Sequence, residues 1–574
     1  MQTDRFLLTC TVVLALTSTT AMAAETLYTN GQIYTANEHQ PWADTMIVNE
    51  GVIQFIGQAG DAEQHLSDNF ITQDLGDAFV MPGIIDGHTH PGLVAALTDE
   101  EGADEPRIPE TSKEEMFEWL EQYASDNWYL PIVILGEWNV ALFAPEGPHK
   151  DDLDKIFTYR PALLFDNSGH SMWLNSVALF LLGIDKDTPD LSPNISYFVR
   201  DENGEPTGWV KEFALFPYLG DLLLPGHEDL KQNLKTFLDY LNTKGVTSLV
   251  DGGNFSWHDP VYAALKELND EGNLHIRYEG TYHVYHPTQI AFAIDELLKL
   301  REKYAGGLIS FNTIKIHFDG VAEINTAGML EPFANEPGNR GGVLLTTDEL
   351  TDFILQLVER DINLHLHSVG DRATQTALDA TEQARTRHGD ALPIEITLAH
   401  LETTVPHDIE RFKDLEVHAN FTPHWFGGYF KGGDLALGPE RSFVSQLART
   451  YYDGGANVTF SSDVVTGFEA HRANPFFGIQ TGVNRQEVSQ GRDGAIMNPP
   501  KERLNIEQMI KGYTINGAKQ MGTERHVGSL EVGKVADFII LDANPLTSDA
   551  YGLHKISPIA VYVGGEQVPI TKGN

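Results

Sequence analysis

The sequence predicts an α/β protein whose main domain is a (β/α)8 TIM barrel, with a small β-sandwich built from both termini and an insertion after the first barrel strand. Two observations predict this fold. Eight short apolar segments follow one another between residues 84 and 463, most of them before a helical pattern, and β-rich sequence occurs at both ends of the 574-residue chain. Alternating strands and helices imply parallel strands joined by right-handed crossovers, and eight such units close into a barrel. A doubly wound open sheet is the competing architecture.

Each barrel strand is predicted from a short apolar run. The predicted strands span residues 84–90, 246–251, 276–283, 314–319, 362–367, 396–400, 417–423 and 458–463. After the third strand, Ile290, Ile294, Leu297 and Leu298 form the apolar stripe of a helix that packs on a sheet. Helices are also predicted over residues 372–388, 406–415 and 506–521.

Both ends of the chain have the pattern of β-structure. Strands are predicted over residues 26–35, 45–48 and 52–56, with turns at Asn30-Gly31 and Glu50-Gly51. Further strands are predicted over residues 536–541 and 559–563. We therefore assign residues 24–80 and 522–574 to one β-sandwich domain and residues 81–521 to the barrel domain.

A long segment, from about residue 92 to residue 233, separates the first barrel strand from the second. An ordinary loop is much shorter than this. We therefore expect an inserted subdomain that stands over the barrel mouth and selects the substrate. Four tryptophans are candidates either for the lining of the mouth or for the core: Trp138, Trp173, Trp209 and Trp425.

The first 23 residues have the pattern of a Sec-type signal peptide. Arg5 precedes an apolar run at residues 6–16, and Ala21-Met22-Ala23 offers a cleavage site after Ala23. A membrane anchor is the alternative, but the apolar run is shorter than the ~20 residues that a membrane span needs. Cleavage would remove the single cysteine, Cys10. We expect an exported protein, periplasmic or secreted, without disulfides.

The chain is strongly acidic, with 82 acidic and 39 basic residues and a formal net charge of −43. An acidic surface repels phosphate backbones and anionic membranes. We therefore expect no nucleic-acid partner and, after signal removal, no membrane partner. Because the acidic residues are spread along the chain, solubility explains them better than an acidic docking patch. The sequence leaves open a homo-oligomer.

Residues of metal-ligand type lie at the ends of several predicted barrel strands. His88 and His90 end the first strand, and because strand side chains alternate, both imidazoles project from one face into the barrel mouth. Five further candidates lie in the fourth, fifth, sixth and eighth strands: Lys315, His365, His367, His400 and Asp463. Catalytic groups of barrel enzymes come from the C-terminal ends of several strands. The joint placement therefore predicts a metal site.

At these positions the sequence resembles the amidohydrolase superfamily, and within it the formamide deformylase-like, YtcJ-like branch (amidohydrolase family three). The resemblance covers nearly the whole mature chain. Its motifs are PGIIDGHTH at residues 82–90, IKIHFDG at 314–320, HLHSVGDRA at 365–373, LAHLE at 398–402 and SSD at 461–463. Residues 528–537 resemble the returning sandwich strand of the family.

The resemblance implies a centre of six ligands that holds two divalent metal ions, zinc in the first place, with manganese or iron as alternatives. The six ligands are His88, His90, Lys315, His367, His400 and Asp463. By this resemblance His88, His90 and Asp463 bind one ion, and His367 and His400 bind the other. An N-carboxylated Lys315 bridges them.

Some assignments stay open. His317 and Asp319 share the strand face of the fourth-strand lysine, so either is an alternative ligand. His365 shares the face of His367; we choose His367 as the ligand because it lies nearer the strand end, and we assign His365 to substrate contact. The resemblance also implies that His170, in the inserted region, contacts the substrate.

These features predict a hydrolase that cleaves a non-peptide carbon–nitrogen bond in a small amide, formamide or cyclic amide by metal-activated hydroxide attack. Asp463 is the predicted catalytic residue, because a carboxylate beside metal and water can take a proton and pass it to the leaving nitrogen. One alternative is ester hydrolysis or deamination at the same site, which the fold alone does not separate. Another is an exported binding protein without turnover, which metal content would distinguish.

Overall fold

The computed structural model describes residues 25–98, 108–109, 111–144, 146–220, 222–389, 391–428 and 433–570. The predicted signal peptide and Cys10 lie outside the described residues. None of the helices within these ranges is long and apolar enough to cross a bilayer.

Eight parallel strands form the barrel, and their order in the sheet is their order in the chain. They span Ile84–Thr89, Val246–Asp251, Arg277–Val284, Ile309–His317, Asn363–Ser368, Ile396–His400, Val417–Phe421 and Asn457–Phe460. Every predicted barrel strand is therefore present. The sequential order, with each strand parallel to its neighbour, confirms the (β/α)8 barrel over the open doubly wound sheet.

The barrel closes where the segment after the eighth strand meets the first strand. The backbone N–H of Asp463 donates to His88 O at 2.9 Å, and that of His90 donates to Val464 O at 3.2 Å. Ser462 donates twice to the buried carboxylate of Asp86, from its N–H at 2.9 Å and its hydroxyl at 2.5 Å. We call this junction, residues 86–90 against 462–464, the barrel seam. It joins positions that lie 376 residues apart in the chain.

Helices follow the barrel strands. Apart from four helices that accompany the sheet of the inserted region, they span Pro91–Leu97, His227–Thr243, His258–Asp270, Ala293–Tyr304, Thr347–Val358, Asp371–His388, Pro406–Leu415, Gly433–Ser442, Ala448–Asp453, Pro475–Asn484, Ile506–Gly512 and Ile515–Gln520. The helix predicted over residues 406–415 has the predicted bounds, and the one predicted from 372 begins one residue earlier. The single helix predicted over residues 506–521 is two helices, because Thr514 leaves helical geometry with φ −127° and ψ −101°.

The inserted region forms a subdomain with a five-stranded sheet of its own. Its strands span Val133–Trp138, Ala162–Asp166, Ser171–Leu174, Tyr197–Arg200 and Pro206–Lys211, and its helices span Lys113–Asp126, Lys150–Ile156, Ser176–Leu181 and Phe216–Leu219. Trp138, Trp173 and Trp209 are buried in its core, together with apolar residues of the loop after the fourth barrel strand. Only Trp425 of the four candidate tryptophans lines the cavity at the barrel mouth. The insertion is thus packed firmly onto the barrel.

Both termini build the small β-sandwich, as predicted. Its strands span Glu25–Thr29, Gln32–Tyr34, Trp42–Ala43, Thr45–Asn49, Val52–Gly57, Phe70–Asp74, Phe79–Pro82, Phe538–Leu541, Pro558–Val563 and Glu566–Gln567, with a short helix at Ala59–Ala62. The ring of Phe538 lies 5.2 Å from that of Tyr28 in the opposite sheet, and 4.3 Å from that of Tyr562 on the neighbouring strand of its own sheet. The predicted strand over residues 26–35 is two strands, because Asn30 turns the chain with φ 57°.

An ion pair ties the sandwich to the barrel. Arg277, at the start of the third barrel strand, donates to both carboxylate oxygens of Asp537 at 2.6 and 3.1 Å. Asp537 is buried. We expect Arg277→Ala to lower the free energy of unfolding by about 2 kcal/mol, because it leaves a carboxylate buried without its cation. Urea-induced unfolding measures the loss.

The matched control is Arg492→Ala. Arg492 also pairs with an aspartate, Asp549, at 2.6 Å, but both side chains are about 60% exposed. Removing such a surface pair changes stability by less than about 0.5 kcal/mol. Equal losses in the two variants would contradict a joining role for Arg277.

Candidate metal centre and active site

The carboxyl ends of the barrel strands open into a cavity of about 490 Å³. The barrel and the inserted subdomain both contribute to its wall. Its apolar lining includes Leu93, Ile134, Phe165, Phe213, Phe216 and Trp425. The polar residues at its floor come from the strand ends that the sequence singled out. The cavity is therefore a mainly apolar site with a few converging polar groups, as small-molecule sites usually are.

Three side chains from three strand ends converge at the cavity floor. Ligand atoms of His88, His400 and Asp463 all lie within 4.8 Å of one another. His88 Nε2 lies 3.3 Å from Asp463 Oδ1, and His400 Nδ1 lies 3.5 Å from Asp463 Oδ2. His90 joins them, with its Nε2 also 3.3 Å from Asp463 Oδ1. The structure thus brings four of the six predicted ligands into one cluster.

Neighbouring groups fix the two histidines of the first strand. Gly253 O lies 3.1 Å from His90 Nδ1, which leaves His90 Nε2 turned toward Asp463. His365 Nε2 lies 2.7 Å from His88 Nδ1. Partners of this kind hold a metal-binding imidazole in one tautomer and one orientation.

Lys315 is buried directly beside this cluster. Its Nζ lies 3.4 Å from His88 Nδ1 and 3.3 Å from His88 Nε2. Burial lowers the pKa of Lys315 to about 7, even though Asp463 acts in the opposite direction. A substantial fraction of this amine is therefore neutral near neutral pH.

The donor set fits a divalent cation. Both ring nitrogens of His400 are buried and make no hydrogen bond to any described residue. Burial lowers the pKa of His88 to about 3 and holds that of His400 well below its usual value. Burial opposes ionisation of Asp463, yet His88 and His400 keep its pKa well below the usual range. Neutral imidazoles facing a carboxylate are in the protonation state that binds zinc-type ions.

The two histidines of the fifth strand lie at different depths. The His367 ring lies 4.4 Å from the His400 ring and lines the cavity. His365 pairs in register with Lys315, one layer deeper, and turns its Nε2 to His88. It is absent from the cavity lining. The structure therefore places His365 against His88 and outside the lining of this cavity, and its predicted substrate contact stays a prediction.

Asp319, an alternative ligand on sequence grounds, binds backbone N–H groups of two loops. Its buried carboxylate accepts backbone N–H groups from Gly328, Val369 and Gly370 at 2.9, 3.0 and 2.8 Å. These bonds hold the loops after the fourth and fifth strands together, and they occupy both of its oxygens.

His317, the other alternative, belongs to a second group of three side chains. Ligand atoms of His170, Glu212 and His317 all lie within 4.8 Å of one another. His170 lines the cavity, in a position that allows the predicted substrate contact. Sequence reasoning missed Glu212, because it follows an insertion strand and belongs to none of the motifs.

The backbone is strained at two of the clustered residues. His400 has φ 80° and Asp463 has φ 50°, in the left-handed region that β-carbon-bearing residues rarely adopt. Such conformations cost of order 1–3 kcal/mol each and concentrate at functional sites. Here they lie at the points where two strands end and their side chains meet at the cavity floor.

A barrel with histidines and a carboxylate gathered at the carboxyl ends of its strands has the architecture of a barrel enzyme. The particular family follows from comparison with known proteins. The chain belongs to the amidohydrolase family, whose model matches residues 72–569. It is therefore a hydrolase by family.

Three curated relatives show the range of the family. The chain is 29% identical to "Exoenzymes regulatory protein AepA" of Pectobacterium carotovorum subsp. carotovorum, over 71% of this chain and 87% of that protein. It is 28% identical to "Putative amidohydrolase YtcJ" of Bacillus subtilis (strain 168), over 76% and 79%. It is 24% identical to "N-substituted formamide deformylase" of Arthrobacter pascens, over 73% and 75%. These matches confirm the branch that the motifs indicated.

A solved structure shares the fold. It is described as an uncharacterized metal-dependent hydrolase from Pyrococcus horikoshii OT3, and it aligns with a TM-score of 0.67 at 23% identity. The alignment covers 92% of this chain and 99% of that one. The fold of most of this chain thus recurs in another protein.

Gly252, directly after the second barrel strand, lies against the imidazoles of His88 and His90. A β-carbon on Gly252 would lie 2.5 Å from His90 Cε1 and 2.8 Å from His88 Nε2. We expect Gly252→Ala to displace these imidazoles and weaken metal binding by about tenfold or more, as lost positioning of a metal ligand does. Titration of the metal-free protein with Zn²⁺ measures the affinity.

The matched control is Gly136→Ala. Gly136 also lines the cavity, but an added β-carbon there meets nothing within 4 Å. Its metal affinity should equal that of the unchanged protein. Equal affinities in all three proteins would mean that His88 and His90 do not bind the metal.

Proposed function

We propose that the chain hydrolyses a carbon–nitrogen bond other than a peptide bond, in a small amide, formamide or cyclic amide. The observation that carries this proposal is the convergence of His88, His400 and Asp463 at the floor of a largely apolar cavity. The amidohydrolase family supports it, as does the relative described as an N-substituted formamide deformylase.

The proposed reaction depends on divalent metal ions at the cavity floor, zinc in the first place. The proposed ligands are His88, His90, Lys315, His367, His400 and Asp463. When bound, such ions lower the pKa of a water molecule and polarise a carbonyl group. The structural neighbour described as a metal-dependent hydrolase supports this dependence.

We propose that Lys315 joins the ligand set as a carbamate. A neutral amine can add to carbon dioxide, which forms a nitrogen–carbon bond, releases one proton and turns the uncharged amine into an anionic carbamate with oxygen ligands. The lowered pKa of Lys315 and its burial beside His88 support this role.

The protein supplies the proton transfer through Asp463. Its low pKa makes it a carboxylate at neutral pH. It can therefore accept the proton of the attacking water and return it to the leaving nitrogen. The mainly apolar wall of the cavity lowers the local dielectric, which would strengthen each electrostatic contact with the reacting carbonyl.

A substrate screen tests the reaction class. The zinc-loaded protein is assayed with N-acyl, N-formyl and cyclic amides, beside matched esters and amino-substituted heterocycles. Release of an amine or ring opening of an amide is the expected result. Turnover of the esters alone, or of the deamination substrates alone, would reassign the reaction to those bonds.

We expect Asp463→Asn to reduce kcat by roughly 10³-fold or more while the fold is retained, because the amide cannot accept the proton. Steady-state rates of the metal-replete variant, with its circular dichroism spectrum, give the measurement. Asp549→Asn, at an exposed position, is the control and should keep the full rate. A metal-replete Asp463→Asn protein with unchanged kcat would remove Asp463 from its proposed role.

We also expect chelation to abolish turnover and Zn²⁺ or Mn²⁺ to restore it, since neutral imidazoles and a carboxylate are ligands that bind such ions. The assay compares chelated, reloaded and Mg²⁺-treated protein. Full activity after removal of all metal would contradict the proposal. A metal-free protein that still binds its ligand fully but never turns it over would instead indicate a binding protein.

A further inference from the structure

The cavity wall holds a second cluster of ligating side chains, separate from the floor. It consists of His170, Glu212 and His317, which we call the wall triad, and it shares no residue with the six proposed ligands of the floor. His170 Nδ1 lies 2.7 Å from Glu212 Oε2, and His317 Nε2 lies 3.7 Å from the same oxygen. Two imidazole nitrogens thus converge on one carboxylate oxygen.

One nitrogen of the wall triad has no hydrogen-bond partner among the described residues. His317 is buried, and its Nε2 makes no hydrogen bond to any described residue. Leaving a buried polar nitrogen without a hydrogen bond is unfavourable. A cation held between the three side chains would satisfy this nitrogen, since neutral imidazole is a good ligand for zinc-type ions.

The carboxylate of the wall triad is already held in place. Glu212 Oε1 accepts the Thr326 hydroxyl at 2.5 Å and the Val321 N–H at 3.2 Å. Glu212 Oε2 therefore remains to face the two histidines. A carboxylate fixed in this way is pre-organised for a cation, because its orientation does not have to change on binding.

We propose that the wall triad binds one divalent transition-metal ion, of the zinc type, in addition to the ions of the floor. Two imidazoles and one carboxylate form the three-ligand set of many zinc sites, with a position left open. His170 and Glu212 come from the inserted subdomain and His317 from the fourth barrel strand. An ion here would cross-link the insertion to the barrel mouth. Substrate contact by His170 stays compatible, because an imidazole has two ring nitrogens.

The test counts metal per chain by elemental analysis after loading with Zn²⁺ and dialysis. The first variant is His317→Phe, since a phenyl ring can keep the stacking of His317 on His367, now 3.9 Å between ring centroids. The second is His170→Gln, at the most exposed side chain of the wall triad. Each should lose about one equivalent of zinc relative to the unchanged protein.

The matched control is His283→Phe. His283 is also a buried histidine of the cavity wall with no hydrogen bond at either ring nitrogen among the described residues, but it lies outside the wall triad. It should keep the full zinc content. In a His88→Ala background, which removes a proposed ligand of the floor, His317→Phe should still remove about one further equivalent, which separates this ion from those of the floor.

Unchanged zinc content in both His317→Phe and His170→Gln would overturn the proposal and leave the wall triad as a hydrogen-bonded His170–Glu212 pair. An equal loss in His283→Phe would also overturn it, since the loss would then reflect general loosening of the mouth. Circular dichroism confirms that each variant is folded. Because the readout is metal content, it does not depend on whether the proposed hydrolysis is correct.

Discussion

The constraint on which the barrel mouth depends is the cost of removing ionisable groups from water. Imidazoles, a carboxylate and an amine are buried within a few ångströms of one another at the cavity floor, where burial disfavours every charged form. Burial holds the pKa of His88 and of His400 low, and the neighbouring His88, His400 and His90 keep the pKa of Asp463 well below its usual range. Burying these groups is unfavourable in free energy for the metal-free protein, and the binding of cations would offset that cost.

The barrel could be predicted from the sequence because its signals are local. Each strand is a short apolar run, and the strand ends place His88, His400 and Asp463 at one face by the geometry of parallel barrels alone. The two helices after the eighth strand could not be separated in this way. Their break depends on the backbone of Thr514, which apolar periodicity does not report.

The finer assignments depend on depth and on distant contacts. Side-chain alternation shows that His365 and His367 share a face, but not which layer of the barrel each occupies. Register with the fourth strand decides that, since His365 pairs with Lys315 and His367 with His317. Glu212 could not be predicted for a different reason. It reaches the mouth only because the insertion packs onto the barrel, a contact between segments with no shared motif.

The proposed metal site lies across the barrel seam. His88 and His90 lie on one side of the seam and Asp463 lies on the other. An ion bound by all three would therefore bridge the junction between the first strand and the segment after the eighth strand. Such an ion would cross-link the two edges of the barrel sheet. By the proposed ligand set, loss of metal would weaken this closure as well as stop the proposed reaction, so the stability of the folded chain would rise with the metal supply of its surroundings.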